Sequence, residues 1–123
     1  MKKLILKFNS KLFEVNLRDT ETARIISKSV PINSKIQMWG EEIFFKTNIQ
    51  AALENDAKEI MQLGELAFWT EGSAIAIGYG KTPVSIEQEI RLIGPCNVWG
   101  NANFKKSDFN NVKPGDEISL DWE

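Results

Sequence analysis

"GELAFWTEGSAIAIGYGKTPVS", residues 64–85, holds two apolar β-forming runs and closes on the tripeptide with which phosphate-binding loops end. Spacing decides between the two readings. A P-loop sets its first glycine five positions before the Gly-Lys-Thr glycine, so that successive backbone N–H groups wrap the phosphates. Counting back from Gly80 reaches Ile75, inside the apolar run. A dinucleotide fingerprint built on Gly78 and Gly80 needs a third glycine at position 83, which is Pro83. Both motifs fail, and nucleotide binding on this loop is set aside. What remains is a strand over 65–69, a tight turn at "TEGS", and a second strand over 74–79. Gly80 then bends the chain and Thr82-Pro83 opens a loop.

The same vocabulary extends outward. "KLILKF" (3–8) and "KLFEVNL" (11–17) are rich in β-formers and flank the turn pair Asn9-Ser10, which predicts an opening hairpin. "DTETARIISKSVP" predicts the main helix: Asp19 or Thr20 caps it, Glu21 sits in its first turn, and Pro31 stops it. Ala23, Ile26 and Val30 form its apolar stripe. Strands are expected at 35–39, at 41–47 around Gly40, at 96–104, and after "PGD" near the end. Residues 48–64 read as irregular with a short helical turn, 87–95 as a loop with some extended character, and 105–112 as a helical turn. About eight strands with one helix predict a mainly β chain closed into a barrel, which removes exposed sheet edges.

The bulk numbers narrow the function. A chain of 123 residues with 42% hydrophobic and 26% charged residues reads as one domain, 1–123, that builds its core without disulfides or metals. A net charge of −2 offers no basic excess for a phosphate backbone, so no nucleic-acid partner is expected. With no histidine, Ser-His-Asp and Cys-His arrangements are impossible, and no serine has a lysine three residues on. The single cysteine, Cys96, excludes an internal disulfide and leaves a zinc site short of ligands; neither metal nor cofactor is expected. "MKKLILKF" opens like a signal peptide, but Lys7 interrupts the apolar stretch and nothing approaches membrane-spanning length. The expectation is a cytoplasmic protein with no membrane partner.

Three blocks in order, "WGEEIFF" (39–45), the stretch 64–85, and "NVWG" (97–100), resemble a family of small prokaryotic proteins with a cyclophilin-like barrel. That family's pattern runs Trp-Gly-Asp/Glu-Glu-Ile-Tyr-Phe, then Gly-Asp-x-x-Tyr-Trp-x-x-Gly, an apolar strand ending Gly-x-Thr-Pro, and Asn-Val-x-Gly. The resemblance spans nearly the whole chain. It implies a closed eight-stranded β-barrel with one main helix after the second strand. The wider cyclophilin relation implies a reaction as well, cis–trans isomerisation of the bond before proline. Lowering its barrier of about 18–20 kcal/mol takes a pocket for the ring and a donor aimed at the prolyl nitrogen. Cyclophilins supply the donor from a third-strand arginine in a Phe-His-Arg context. Here "KIQMWGEEIFFKTN" has none, and no arginine falls between Arg24 and Arg91.

The candidate residues follow. Trp39 and Trp69 are rim residues of the barrel or walls of a ligand groove, aromatic faces being cheap to present. If Ile43 and Phe45 point inward, Glu42, Phe44 and Lys46 share the outer face. Glu42 is then a solvated strand residue or the carboxylate of a groove beside Phe44, and Glu41 would fall inward unless the chain bulges at Gly40. The Tyr79 hydroxyl holds a loop or meets a ligand, Asn97 ties down a loop, and Cys96 is a small buried apolar residue. Two functional classes compete. In the first, a non-catalytic module binds a peptide or small molecule through Trp39, Glu42, Phe44, Trp69, Tyr79 and Arg91. In the second, a divergent prolyl isomerase uses Arg91, or Lys46, as the relocated donor. A structural role in a larger assembly stands behind both.

Overall fold

A computed structural model describes residues 3–123. The chain runs β1 (Leu4–Phe8), β2 (Lys11–Leu17), α1 (Glu21–Ser29), β3 (Ile32–Lys35), β4 (Gln37–Met38), β5 (Glu42–Lys46), β6 (Lys58–Met61), β7 (Glu65–Trp69), β8 (Ala74–Gly78), β9 (Ile90–Asn101), a 3₁₀ turn (Lys106–Phe109) and β10 (Glu117–Trp122). All ten strands form one antiparallel sheet in the order β3-β10-β1-β2-β9-β7-β8-β5-β4, with β6 paired to β9. The path begins at β3 and ends at β4, which only Ile36 separates. Both ends of the sheet are therefore one bent segment, and the sheet closes into a barrel. Counting β3 and β4 as one strand gives the eight expected, with β6 added.

Local chemistry explains the parts that sequence located. Asn9 and Ser10 both take positive φ, 51° and 60°, as a two-residue hairpin with the right twist requires. Thr20 caps α1, its Oγ1 accepting from the Ala23 N–H at 3.1 Å, whereas Asp19 pairs with Arg24 instead. Three expectations need correction. The segment 35–39 is broken at Ile36, whose side chain enters the core while its N–H donates to Asp116 and its carbonyl accepts from Gly115, each at 2.8 Å. Residues 48–64 contain a strand, β6, rather than a helical turn. And β9 begins at Ile90, not at Cys96: Pro95 is tolerated because the β6–β9 ladder slips between Lys58 and Ile60, so that Cys96 and Arg91 become successive partners.

The barrel interior is filled by odd-numbered residues of β5 and β8 (Ile43, Phe45, Ile75, Ile77) with Leu66 and Phe68 of β7. The opposite face of these strands is covered too. Ala67, Ala76, Leu92, Cys96 and Val98 make a second apolar cluster beneath Met61 of β6. This is why "AIAIG" reads as a continuous apolar run rather than an alternation.

A buried polar knot fastens the helix to this barrel. Asn97, fully buried, donates through Nδ2 to Thr22 Oγ1 and the Ala52 carbonyl, both at 2.9 Å. Its Oδ1 accepts from the Glu54 N–H at 2.8 Å, and the Glu54 carboxylate in turn accepts from Thr22. The asparagine thus ties down the 52–54 loop and α1 together. Asn97→Ala strands several buried groups and is expected to lower unfolding free energy in urea by about 3 kcal/mol. Leu12→Ala, at a side chain 65% exposed, should change it by less than about 0.5 kcal/mol.

Candidate functional site

β5 fixes the site. With Ile43 and Phe45 inside the barrel, Glu42 and Phe44 face outward onto the second cluster. Four of the sequence-derived residues, Trp39, Glu42, Phe44 and Trp69, line one cavity of about 180 Å³ on this outer face. β8 contributes Ala74 and Ala76 to its floor, and their small side chains leave the space open. Met38, Leu92, Ile93 and Cys96 complete it. Sequence reading did not place these last four at the site. Leu92 and Ile93 lie in the part of β9 taken for a loop, and an alternation count extended back from Val98 through Cys96 would have exposed Leu92. A larger hollow of about 770 Å³ between β1, β3 and β10 is open and bordered by Lys7, Lys35, Asp116 and Glu117.

The "GYGKTP" stretch builds the rim. Gly40 sits at φ +61°, bulging the chain so that Glu41 leaves the inner face. The bulge is clamped by the loop after β8. The Glu41 N–H donates to the Lys81 carbonyl and the Tyr79 N–H to the Glu41 carbonyl, both at 2.8 Å, and the Lys81 N–H donates to Glu41 Oε1 at 3.1 Å. A Cβ on Gly80 would stand 2.3 Å from Glu41 Oε1, so the second glycine is there for close approach. The loop that resembled a phosphate loop thus clamps Glu41, which lies between Trp39 and Glu42 of the cavity lining.

Tyr79 and Arg91 do not join the other four. Tyr79 shares parity with Ile75 and Ile77, which was legible in the sequence, and it turns inward to stack on Phe109 at 4.4 Å and 6°. Burial, and then the nearby Glu41 charge, raise its phenol pKa. The Arg91 guanidinium is held by Glu89 at 2.8 and 2.9 Å and by Glu59. Lys46, beyond Phe44 on β5, is exposed; its ammonium lies 5.9 Å from the Trp69 ring centroid and donates to the Gly72 carbonyl at 3.3 Å.

Glu42 is not the solvated strand residue that was one reading of it. It is 6% exposed, and among the described residues its Oε1 has no hydrogen-bond partner. Burial alone pushes its carboxyl up to about 7. The contrast is Glu65, 5% exposed. Burial would raise that carboxyl as well. The Gln62 N–H at 2.7 Å, Lys58 at 2.9 Å and Arg18 at 3.0 Å outweigh it and hold Glu65 below the usual carboxylate range. Beside Glu42, the Cys96 thiol is pushed up to about 12, by burial first and then by the charges of Glu42, Glu59 and Glu71. It therefore stays protonated and is a poor nucleophile. The site offers aromatic walls, an apolar floor and one carboxyl poised to gain or lose a proton near neutrality.

The sequence profile of the Cyclophilin-like family matches residues 2–121. The solution structure of the hypothetical protein AF2241 from Archaeoglobus fulgidus superposes with a TM-score of 0.80 at 32% identity, covering 98% of this chain and 93% of that one. The structure of McbB in complex with tryptophan superposes with a TM-score of 0.68 at 14% identity, covering 97% of this chain but 44% of that one. No curated protein matches the chain significantly.

The buried carboxyl makes stability depend on pH. Its folded pKa, about 7, lies above the ordinary 4.5. The stability tied to its neutral form is therefore fully present below 4.5 and lost as pH rises through about 7. Glu42→Gln keeps the shape and removes the charge. In urea titrations it should flatten this part of the pH profile and, above pH 7, raise unfolding free energy by about 3 kcal/mol. An unchanged profile would mean that Glu42 is solvated.

Proposed function

The chain belongs to the cyclophilin-like family, and from that premise we propose that it is a non-catalytic binding module that captures a small ligand, or a single side chain of a peptide, in the outer-face cavity. The observation that carries this reading is the convergence of Trp39, Phe44 and Trp69 around the unpartnered Glu42. Largely apolar pockets with a few convergent polar groups are the usual form of a small-molecule site. At about 180 Å³ the cavity takes one ring or one branched chain. That matches a fragment or a peptide's anchoring residue rather than a long groove.

Geometry also favours binding without isomerisation. A prolyl isomerase needs a donor directed at the imide nitrogen of a proline seated in the pocket. Arg91 is engaged by two carboxylates away from the cavity, and Lys46 is engaged at Gly72 and Trp69. The cytoplasmic location expected from the sequence belongs with this proposal; the finding beneath it is that no helix among the described residues is long and apolar enough to cross a membrane.

The test is a titration of ¹⁵N-labelled protein with short Xaa-Pro peptides and single-ring compounds, read at the indole Nε1–H signals. Shifts are expected at Trp39 and Trp69, lost in Ala76→Phe, which fills the floor, and weakened in Trp69→Ala. Exchange spectroscopy on the same peptides should show no faster cis–trans interconversion. Shifts confined to the hollow near Lys7 and Glu117, or accelerated exchange, would refute the reading.

A further inference from the structure

Among the described residues, two carboxylates are buried on the outer face of the barrel, and the chain treats them oppositely. Glu65 receives donors from Gln62, Lys58 and Arg18. Glu42 receives none on Oε1, although it is as deeply buried. A buried acceptor left open costs free energy that nothing in the folded chain returns. Glu42 lines the cavity walled by Trp39, Phe44 and Trp69.

We propose that this cavity binds an apolar organic amine in its ammonium form, the nitrogen donating to Glu42 and the carbon body lying against Trp39, Phe44 and Trp69. This rests on the cavity being the binding site and names what enters it. Three features select an amine. Among the described residues, no lysine or arginine lines the cavity, so an anionic ligand meets Glu42 as a like charge with no counter-charge beside it. Three aromatic side chains surround the space, and ring faces attract cations; the Trp69 ring already carries the Lys46 ammonium 5.9 Å from its centroid. The volume, about 180 Å³, suits a single ring, since an apolar cavity of roughly 150 Å³ holds benzene.

The ionisation of Glu42 couples ligand and proton. β4 faces it with Met38, the bend after β4 with Trp39, β8 with Ala74 and Ala76, β7 with Trp69, and β9 with Leu92, Ile93 and Cys96. The Cys96 thiol, pushed up to about 12, stays neutral throughout. On β5 itself the nearest charge is Lys46, exposed beyond Phe44. With the carboxyl at about 7 in the empty site, an ammonium ligand binds more tightly as pH rises through that value and draws the proton off Glu42 as it enters.

The experiment titrates benzylamine, benzyl alcohol and benzoate into the wild-type protein and Glu42→Gln, following heat and the Trp39 and Trp69 indole signals. Benzylamine stays protonated over the range used. At about pH 8 it should bind wild type at least about tenfold more tightly than benzyl alcohol does, the scale of a charge-assisted hydrogen bond. That advantage should shrink at about pH 5, where Glu42 is protonated, and vanish in Glu42→Gln, which still takes benzyl alcohol. If benzyl alcohol or benzoate binds wild type as well as benzylamine does, the cavity stands as a site and the amine assignment falls. If none of the three moves the indole signals, the site itself is misplaced and the amine assignment falls with it.

Discussion

The molecule depends on the bend at Ile36. On one side of it β3 hydrogen-bonds β10, and on the other β4 hydrogen-bonds β5. One short segment therefore carries both ends of the sheet. A bend in a strand ordinarily exposes an unpaired N–H and C=O, and here the turn before β10 takes both. The apolar Ile36 side chain then fills the corner from inside. Without this closure the sheet would present two bare edges, and the outer-face cavity would lose Met38 and Trp39, which follow directly from the bend.

The cavity is a by-product of how β5, β8, β7 and β9 are buried on both sides. Bulky residues (Ile43, Phe45, Ile75, Ile77) occupy the barrel interior, while the reverse face of β8 carries alanine. Small side chains beneath large aromatic ones leave a hollow that close packing elsewhere in the protein does not. Into that hollow the chain places a carboxyl without a partner. A structural role would have supplied donors, as Glu65 demonstrates two strands away.

Much of the architecture was legible because local signals agreed with global need. Asn9-Ser10 marked the first hairpin, Thr20 and Pro31 bracketed the helix, and "TEGS" separated β7 from β8. The misses share a cause: the deciding contact is remote in sequence. Pro95 argues against a strand until the bulge opposite Lys58 and Ile60 is known. Ile36 carries no breaking signal, because its bend is stabilised by Gly115 and Asp116. At the site, the shared parity of Glu42 and Phe44 puts both on the outer face, where they line the cavity. Tyr79, in step with Ile75 and Ile77, turns inward and stacks on Phe109. That Glu42 is buried could not be read, since Trp39, Trp69 and the start of β9 enclose a face that the alternation of β5 alone assigns to solvent.

The position of β10 between β3 and β1 has a consequence for biosynthesis. The first strand of the chain and the strand after the helix find their common neighbour only in residues 117–122. Until residues 117–122 have been made, β1 lacks a neighbour on one edge and β3 lacks its ladder partner. The barrel therefore closes only when β10 is available to pair with β3 and with β1, far earlier in the sequence. Such late, long-range pairing is slow and leaves strand edges free for neighbours. A nascent chain of this design carries unpaired strand edges, and with them a risk of aggregation, until β10 has been made and has paired.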